Sequence, residues 1–133
     1  MIIYLDSSVL ARAYFADESG HQAAAELLKA PDVACLTGSW TRVEVTGDIV
    51  RAGRTSRVDE STLLNMLAED LGEGERVAGV AADQGDIERR ALEAVRAHGL
   101  RAMDACHVAV ASIVLALLLG SGESGLFATR GQE

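Results

Sequence analysis

Lysine is almost missing from this chain: Lys29 is the only one among twelve basic residues, set against twenty acidic ones. The net charge of −8 excludes a broad basic surface of the kind that gathers nucleic acid by bulk electrostatics. It does not exclude an enzyme whose acidic pocket holds cations that then meet phosphates. Proline is equally scarce, Pro31 alone, and with 49% hydrophobic residues this argues against a disordered chain. Only two cysteines occur, Cys35 and Cys106; they form no metal-spaced pair, and nothing in their use indicates an oxidising compartment. Long apolar runs are lacking too. The run from Val108 to Leu119 falls short of the roughly 20 residues a bilayer requires, and Asp6 interrupts the N-terminal run before it can read as a signal peptide. The expectation is a cytoplasmic protein with no membrane association. At 133 residues it forms a single domain, with no internal repeat or linker.

What the chain does have is alternation. Ile2, Ile3, Tyr4 and Leu5 make a short apolar run typical of a strand buried on both faces of a parallel sheet. It stops at Asp6, where Ser7 and Ser8 offer N-caps for a helix entering at Val9. The patterning then predicts a helix over 22–29, a strand over 33–36, a helix from Trp40 to Val50 stopping near Gly53, and an amphipathic helix over 58–71. A strand over 77–81 follows, then a charged helix over 84–98 with Gly99 as its C′ residue. Met103 to Leu119 is apolar nearly all round and reads as a buried helix; a last strand is expected over 126–129. The fold class is therefore α/β, a three-layer α/β/α sandwich around a mainly parallel sheet.

Three acids fall where strands feed helices or helices begin. Asp6 ends the first strand, Glu44 lies in the first turns of the helix after the second, and Asp104 opens the apolar helix. In a doubly wound sheet such ends can converge on one crevice. Crowded carboxylates stay ionised only beside a cation, and oxygen donors without a His/Cys cluster favour Mg²⁺ or Mn²⁺. Each acid also has a plainer use. Asp6 can cap the helix that follows it, Thr41-x-x-Glu44 fits a capping box, and Asp104 can complement a helix dipole. Against that plainer use of Asp104, Ala105, Val108 and Ala111 mark a buried helix, where unpaired carboxylates seldom occur. His107, on the same face, reads as a packed or capping histidine in preference to a ligand.

The opening Ile-Ile-Tyr-Leu-Asp-Ser-Ser-Val-Leu resembles that of PIN-domain ribonucleases, specifically the VapC-type toxins of toxin–antitoxin pairs. Arg42-Val43-Glu44 resembles their second acidic motif, and Leu100-Arg-Ala-Met-Asp-Ala-Cys-His-Val-Ala-Val-Ala their third. Phe127-Ala128-Thr129-Arg130 resembles the motif of the final strand. The resemblance runs over essentially the whole chain. It implies that Asp6, Glu44 and Asp104 bind Mg²⁺ or Mn²⁺ at a cleavage site that Thr129 helps to line. It further implies an RNA substrate, a homodimer and neutralisation by a cognate antitoxin. Two departures accompany it. Gly131 stands where the family pattern has a fourth aspartate, and the sequence stops at Glu133, ahead of the helix and strand that usually follow. These keep open a PIN fold used for binding, with catalysis weakened. A receiver-like Mg²⁺-binding signalling domain also gathers acids at strand ends. It needs a lysine near its last strand, and Lys29 lies far from there.

Overall fold

The computed structural model describes residues 1–71, 76–119 and 125–129. In chain order these form β1 (Ile2–Leu5), α1 (Ser7–Arg12), α2 (His21–Lys29), β2 (Ala34–Gly38), α3 (Trp40–Arg54), α4 (Glu60–Asp70), β3 (Val77–Val80), α5 (Gln84–His98), α6 (Ala102–Leu118) and β4 (Gly125–Ala128). All pairings in the sheet are parallel, in the order β3-β2-β1-β4. The chain thus steps outward from β1 through β2 to β3, then returns across the sheet to place β4 on the far side of β1. The strand order reverses at β1, and in open α/β sheets the crevice beyond the strand ends at such a reversal is where ligands bind.

Alternation along the strands divides the core in two. Ile3 and Leu5 point into one layer with Leu10, Val45, Ile49 and Leu67, from α1, α3 and α4. Tyr4 and Leu36 point to the opposite face, against Ile87 and Ala91 of α5 and Ala105, Ala109 and Val110 of α6. The expected three-layer α/β/α sandwich is what forms. Helices before β3 cover one face and helices after it the other, because the chain crosses the sheet once.

Several helix ends differ from expectation. The α1 cap is Asp6, not the serines: its carboxylate accepts from the Val9 N–H at 3.1 Å, so the helix starts at Ser7. The last helix is buried through Ala105, His107, Ala109, Val110, Ala111 and Val114, yet Leu117 is 79% exposed. Its apolar character therefore does not bury it along its whole length. Gly99, by contrast, adopts the left-handed conformation (φ +64°) that ends α5.

Helix α3 runs through Gly53 to Arg54, since a glycine there serves packing: a Cβ on it would stand 2.8 Å from the Cβ of Glu60 in α4. The stop comes at Ser56, whose φ of +58° is left-handed. The Arg57 N–H bonds to the Ala52 carbonyl at 3.0 Å and the Ser56 N–H to that of Gly53 at 3.1 Å, the paired bonds of a Schellman ending. Arg57 is held there by stacking over Phe15 and by two 2.7 Å hydrogen bonds to Asp17. A non-glycine residue in this conformation carries a strain of about 1–2 kcal/mol. Ser56→Gly should therefore raise unfolding stability by about 1 kcal/mol; urea denaturation of the two proteins checks it, and a less stable variant refutes the assignment of strain to Ser56.

Candidate metal and catalytic site

The C-terminal end of β1 is tied down on both sides. The Asp6 N–H donates to the Ala128 carbonyl of β4 at 3.1 Å, which brings Thr129, the next residue, beside Asp6. On the other side Thr37 of β2 donates its hydroxyl to the Leu5 carbonyl at 2.7 Å. That hydroxyl has a single proton, so in the 2.6 Å contact between Thr37 and Thr41 it is Thr41 that donates. Both threonines are buried, and the pair locks the first turn of α3 onto the end of β1. Asp6 itself is buried, and its Oδ1 accepts from Ser8 Oγ at 2.6 Å as well as from the Val9 N–H.

With Thr41 inside the helix and bonded to Thr37, the capping box expected of Thr41 and Glu44 does not form; α3 starts at Trp40 without a side-chain cap. Glu44 instead accepts at Oε1 from His107 Nε2, 2.8 Å away. The other ring nitrogen, Nδ1, lies 3.0 Å from the Tyr4 hydroxyl. His107 is buried between Tyr4 and Trp40, whose rings meet it edge-on at centroid distances of 6.0 and 6.2 Å. Phe127 of β4 stacks on the opposite side of Tyr4 at 5.6 Å. Glu44 belongs to a helix of one layer and His107 to a helix of the other, so their bond closes around the end of the sheet.

Gly38 completes the row. It packs against the Tyr4 hydroxyl oxygen. A Cβ at position 38 would sit 2.6 Å from that oxygen, so only glycine permits the approach. Burial pushes the Tyr4 hydroxyl pKa well above its ordinary value; the neighbouring Gly38 amide opposes this, and the charges of Asp6 and Glu44 add to it. The phenol keeps its proton and can donate it.

The three expected ligands are placed unequally. Asp6 and Glu44 both act electrostatically on Tyr4, from the strand end and from α3. Asp104 occupies the first turn of α6, one turn ahead of His107, and is exposed. The burial expected for it is corrected: α6 enters the core only from Ala105 onward, leaving Ala102, Met103 and Asp104 in solvent. Among the described residues no group of three or more His, Cys, Asp or Glu side chains is drawn together closely enough to hold a metal ion. Thr129 is exposed just past β4; Arg130, Gly131 and Glu133 lie outside the described residues.

Residues 3–121 match the PIN domain family. The chain belongs to that family. The receiver-like alternative falls with this membership. A solved structure of VapC20 from Mycobacterium tuberculosis, a sarcin–ricin loop cleaving toxin, shares the fold with a TM-score of 0.59 and 21% identity. The match covers 84% of this chain and 82% of that one. A search of curated proteins finds no match.

The donor chemistry of this PIN domain suits a hard divalent cation. Both nitrogens of His107 are engaged within the protein. The thiol of Cys106 is pushed up by burial and then by the charge of Glu44, so it stays protonated and is a poor soft ligand. Carboxylate oxygens remain, the donors that Mg²⁺ and Mn²⁺ take. Sequence reasoning missed Tyr4, Gly38 and the threonine pair. Tyr4 alone left a signal: a tyrosine in a doubly buried strand requires a partner for its hydroxyl.

The two roles of Asp6, helix cap and charge, separate by substitution. Asp6→Asn keeps an oxygen for the Val9 N–H and should leave stability within about 0.5 kcal/mol, whereas Asp6→Ala loses the cap and about 1 kcal/mol. Thermal unfolding without added metal tests this; equal losses in both variants would show that the capping bond is not what Asp6 contributes.

Proposed function

We propose that this PIN domain is an endoribonuclease of the VapC toxin type, neutralised in turn by a cognate antitoxin and acting as a homodimer. The observation that carries the reading is the family match over residues 3–121, with Asp6 and Glu44 held at the strand-order reversal where the fold places ligands. Asp6, Glu44 and Asp104 are the carboxylates that would hold Mg²⁺ or Mn²⁺. A cation so held supplies an activated water and offsets charge building on the phosphodiester. The protein's own part is positional. Asp6 is fixed by Ser8 and Val9, and Glu44 by His107. Asp104, exposed on the turn before His107, is the side chain with room to close on an ion. Thr129, beside Asp6 at the end of β4, would line the scissile position.

A cleft of about 430 Å³ lies between α1 and α3. Ser8, which bonds Asp6, lies at one end of it, and Asp48, one turn beyond Glu44, on its wall. Arg51 lines it too, as do Arg57 and the Glu18 with which Arg57 pairs. Arg51 is 70% exposed and, among the described residues, pairs with Asp48 across one helical turn, a pairing worth little in water. A phosphate of an RNA strand can take over that guanidinium. Arg51, so released from Asp48, would give a net-acidic protein a local contact for the RNA backbone.

The experiment is cleavage of a sarcin–ricin loop hairpin and of unstructured RNA, with Mg²⁺, with Mn²⁺ and with chelator. Wild type should cut only with a cation present. Asp6→Asn and Glu44→Gln should each lose cleavage while remaining folded. A Glu44→Gln enzyme with normal rates would remove Glu44 from the ligand set, and a wild type that binds RNA without cutting it would favour the binding-only PIN fold. Arg51→Gln should raise KM, spare kcat, and lower the salt slope of RNA binding by about one phosphate contact. An unchanged slope would place the RNA elsewhere.

A further inference from the structure

The arrangement around Glu44 points to Tyr4 and His107 as positioning residues, which hold the Glu44 carboxylate in one orientation through a directional row of hydrogen bonds. This rests on Glu44 being a ligand, as proposed above. The direction of the row follows from the partners. The Glu44 carboxylate can only accept, so the ring nitrogen facing it carries the proton, and the Tyr4 hydroxyl is left to donate to His107 Nδ1, 3.0 Å away. A neutral imidazole with its lone pair on Nδ1 carries its proton on Nε2, and that proton meets Glu44 Oε1 at 2.8 Å. One tautomer is selected, and with it one use of Glu44: Oε1 is committed to the ring and Oε2 is left for the ion.

Nothing in this row is loosely held. Tyr4 and His107 are fully buried, and the gap at Gly38 admits no side chain. The rings of Phe127 and Trp40 close the two ends. Glu44 is the partly exposed member: its side chain is 30% accessible against 2% for His107. The row therefore begins in the sheet and delivers its last hydrogen bond to a carboxylate that solvent reaches. Partners of this kind typically change metal affinity or activity by roughly 10–100-fold when removed.

The test compares wild type with Tyr4→Phe, His107→Asn and His107→Gln. Glutamine can place its amide N–H where Nε2–H stood, and asparagine cannot reach it. Positioning predicts that His107→Asn weakens Mg²⁺ binding by roughly 10–100-fold in calorimetry and that His107→Gln restores most of it. A role in core packing alone predicts that the two variants behave alike. Nitrogen-15 spectra of the ring, recorded without metal in alkaline buffer, should show the Nε2–H tautomer in wild type and a mixed population in Tyr4→Phe, which deletes a single oxygen and keeps the test open should His107→Asn not fold. A wild-type ring protonated on Nδ1 overturns the proposal. So do variants that match wild type in Mg²⁺ affinity while wild type binds and cuts. A wild type that binds neither Mg²⁺ nor Mn²⁺ overturns the nuclease reading, and this proposal with it.

Discussion

The end of the sheet is organised by three groups in a row, the Tyr4 phenol, the His107 imidazole and the Glu44 carboxylate, with Gly38 packed against the phenol oxygen. They come from β1, α6 and α3, so one hydrogen-bonded row touches the central strand and a helix from each outer layer. Apolar burial alone would hold those layers together without specifying how they meet. Buried polar groups are less forgiving, because each one left without a partner costs far more than a partner gains. A small slip of α6 along the sheet would orphan the phenol and a ring nitrogen together. The row therefore sets the register between layers.

A second constraint acts at Asp6. Its backbone is a rung to β4, its side chain caps α1, and it stands at the point where the strand order reverses. One residue thus joins the sheet, the first helix and the acidic face. The Thr37–Thr41 pair does the same for α3 from the other side of β1. Between them the two devices present Asp6 and Glu44 from rigid elements, while Asp104 stays in solvent on the first turn of α6. The rigidity is what keeps two carboxylates close enough to a phenol to help raise its pKa.

The features legible in the sequence were those written in neighbouring residues. The apolar run at Ile2–Leu5, the glycine after His98 and the periodicity of α5 and α6 each report a local preference, and each element formed within a residue or two of its expected place. Membership of the PIN family was legible from the motifs around Asp6, Glu44 and Asp104. The misreadings have a common cause. Thr41 and Glu44 are spaced as a capping box, but Thr41 is claimed by Thr37, itself bonded to the Leu5 carbonyl 32 positions away, and Glu44 by His107, 63 positions away. Gly53 looked like a helix stop because a neighbour three-dimensionally close, Glu60, was not visible in a local window. His107 read as a packed residue, which it is, but its two polar partners lie 103 and 63 positions off and leave no trace in local spacing.

The single tryptophan of the chain has a place in this that its burial alone does not convey. Trp40 opens α3 one turn before Glu44 and meets the imidazole of His107 edge-on. Indole emission responds to the polarity and contacts of its immediate surroundings, and here those surroundings are the acidic end of the sheet. The molecule carries its own optical reporter, with no second indole to dilute the signal. Whatever shifts His107 or the start of α3, whether an ion, a strand of RNA or a protein partner, writes itself into the fluorescence of the unlabelled protein.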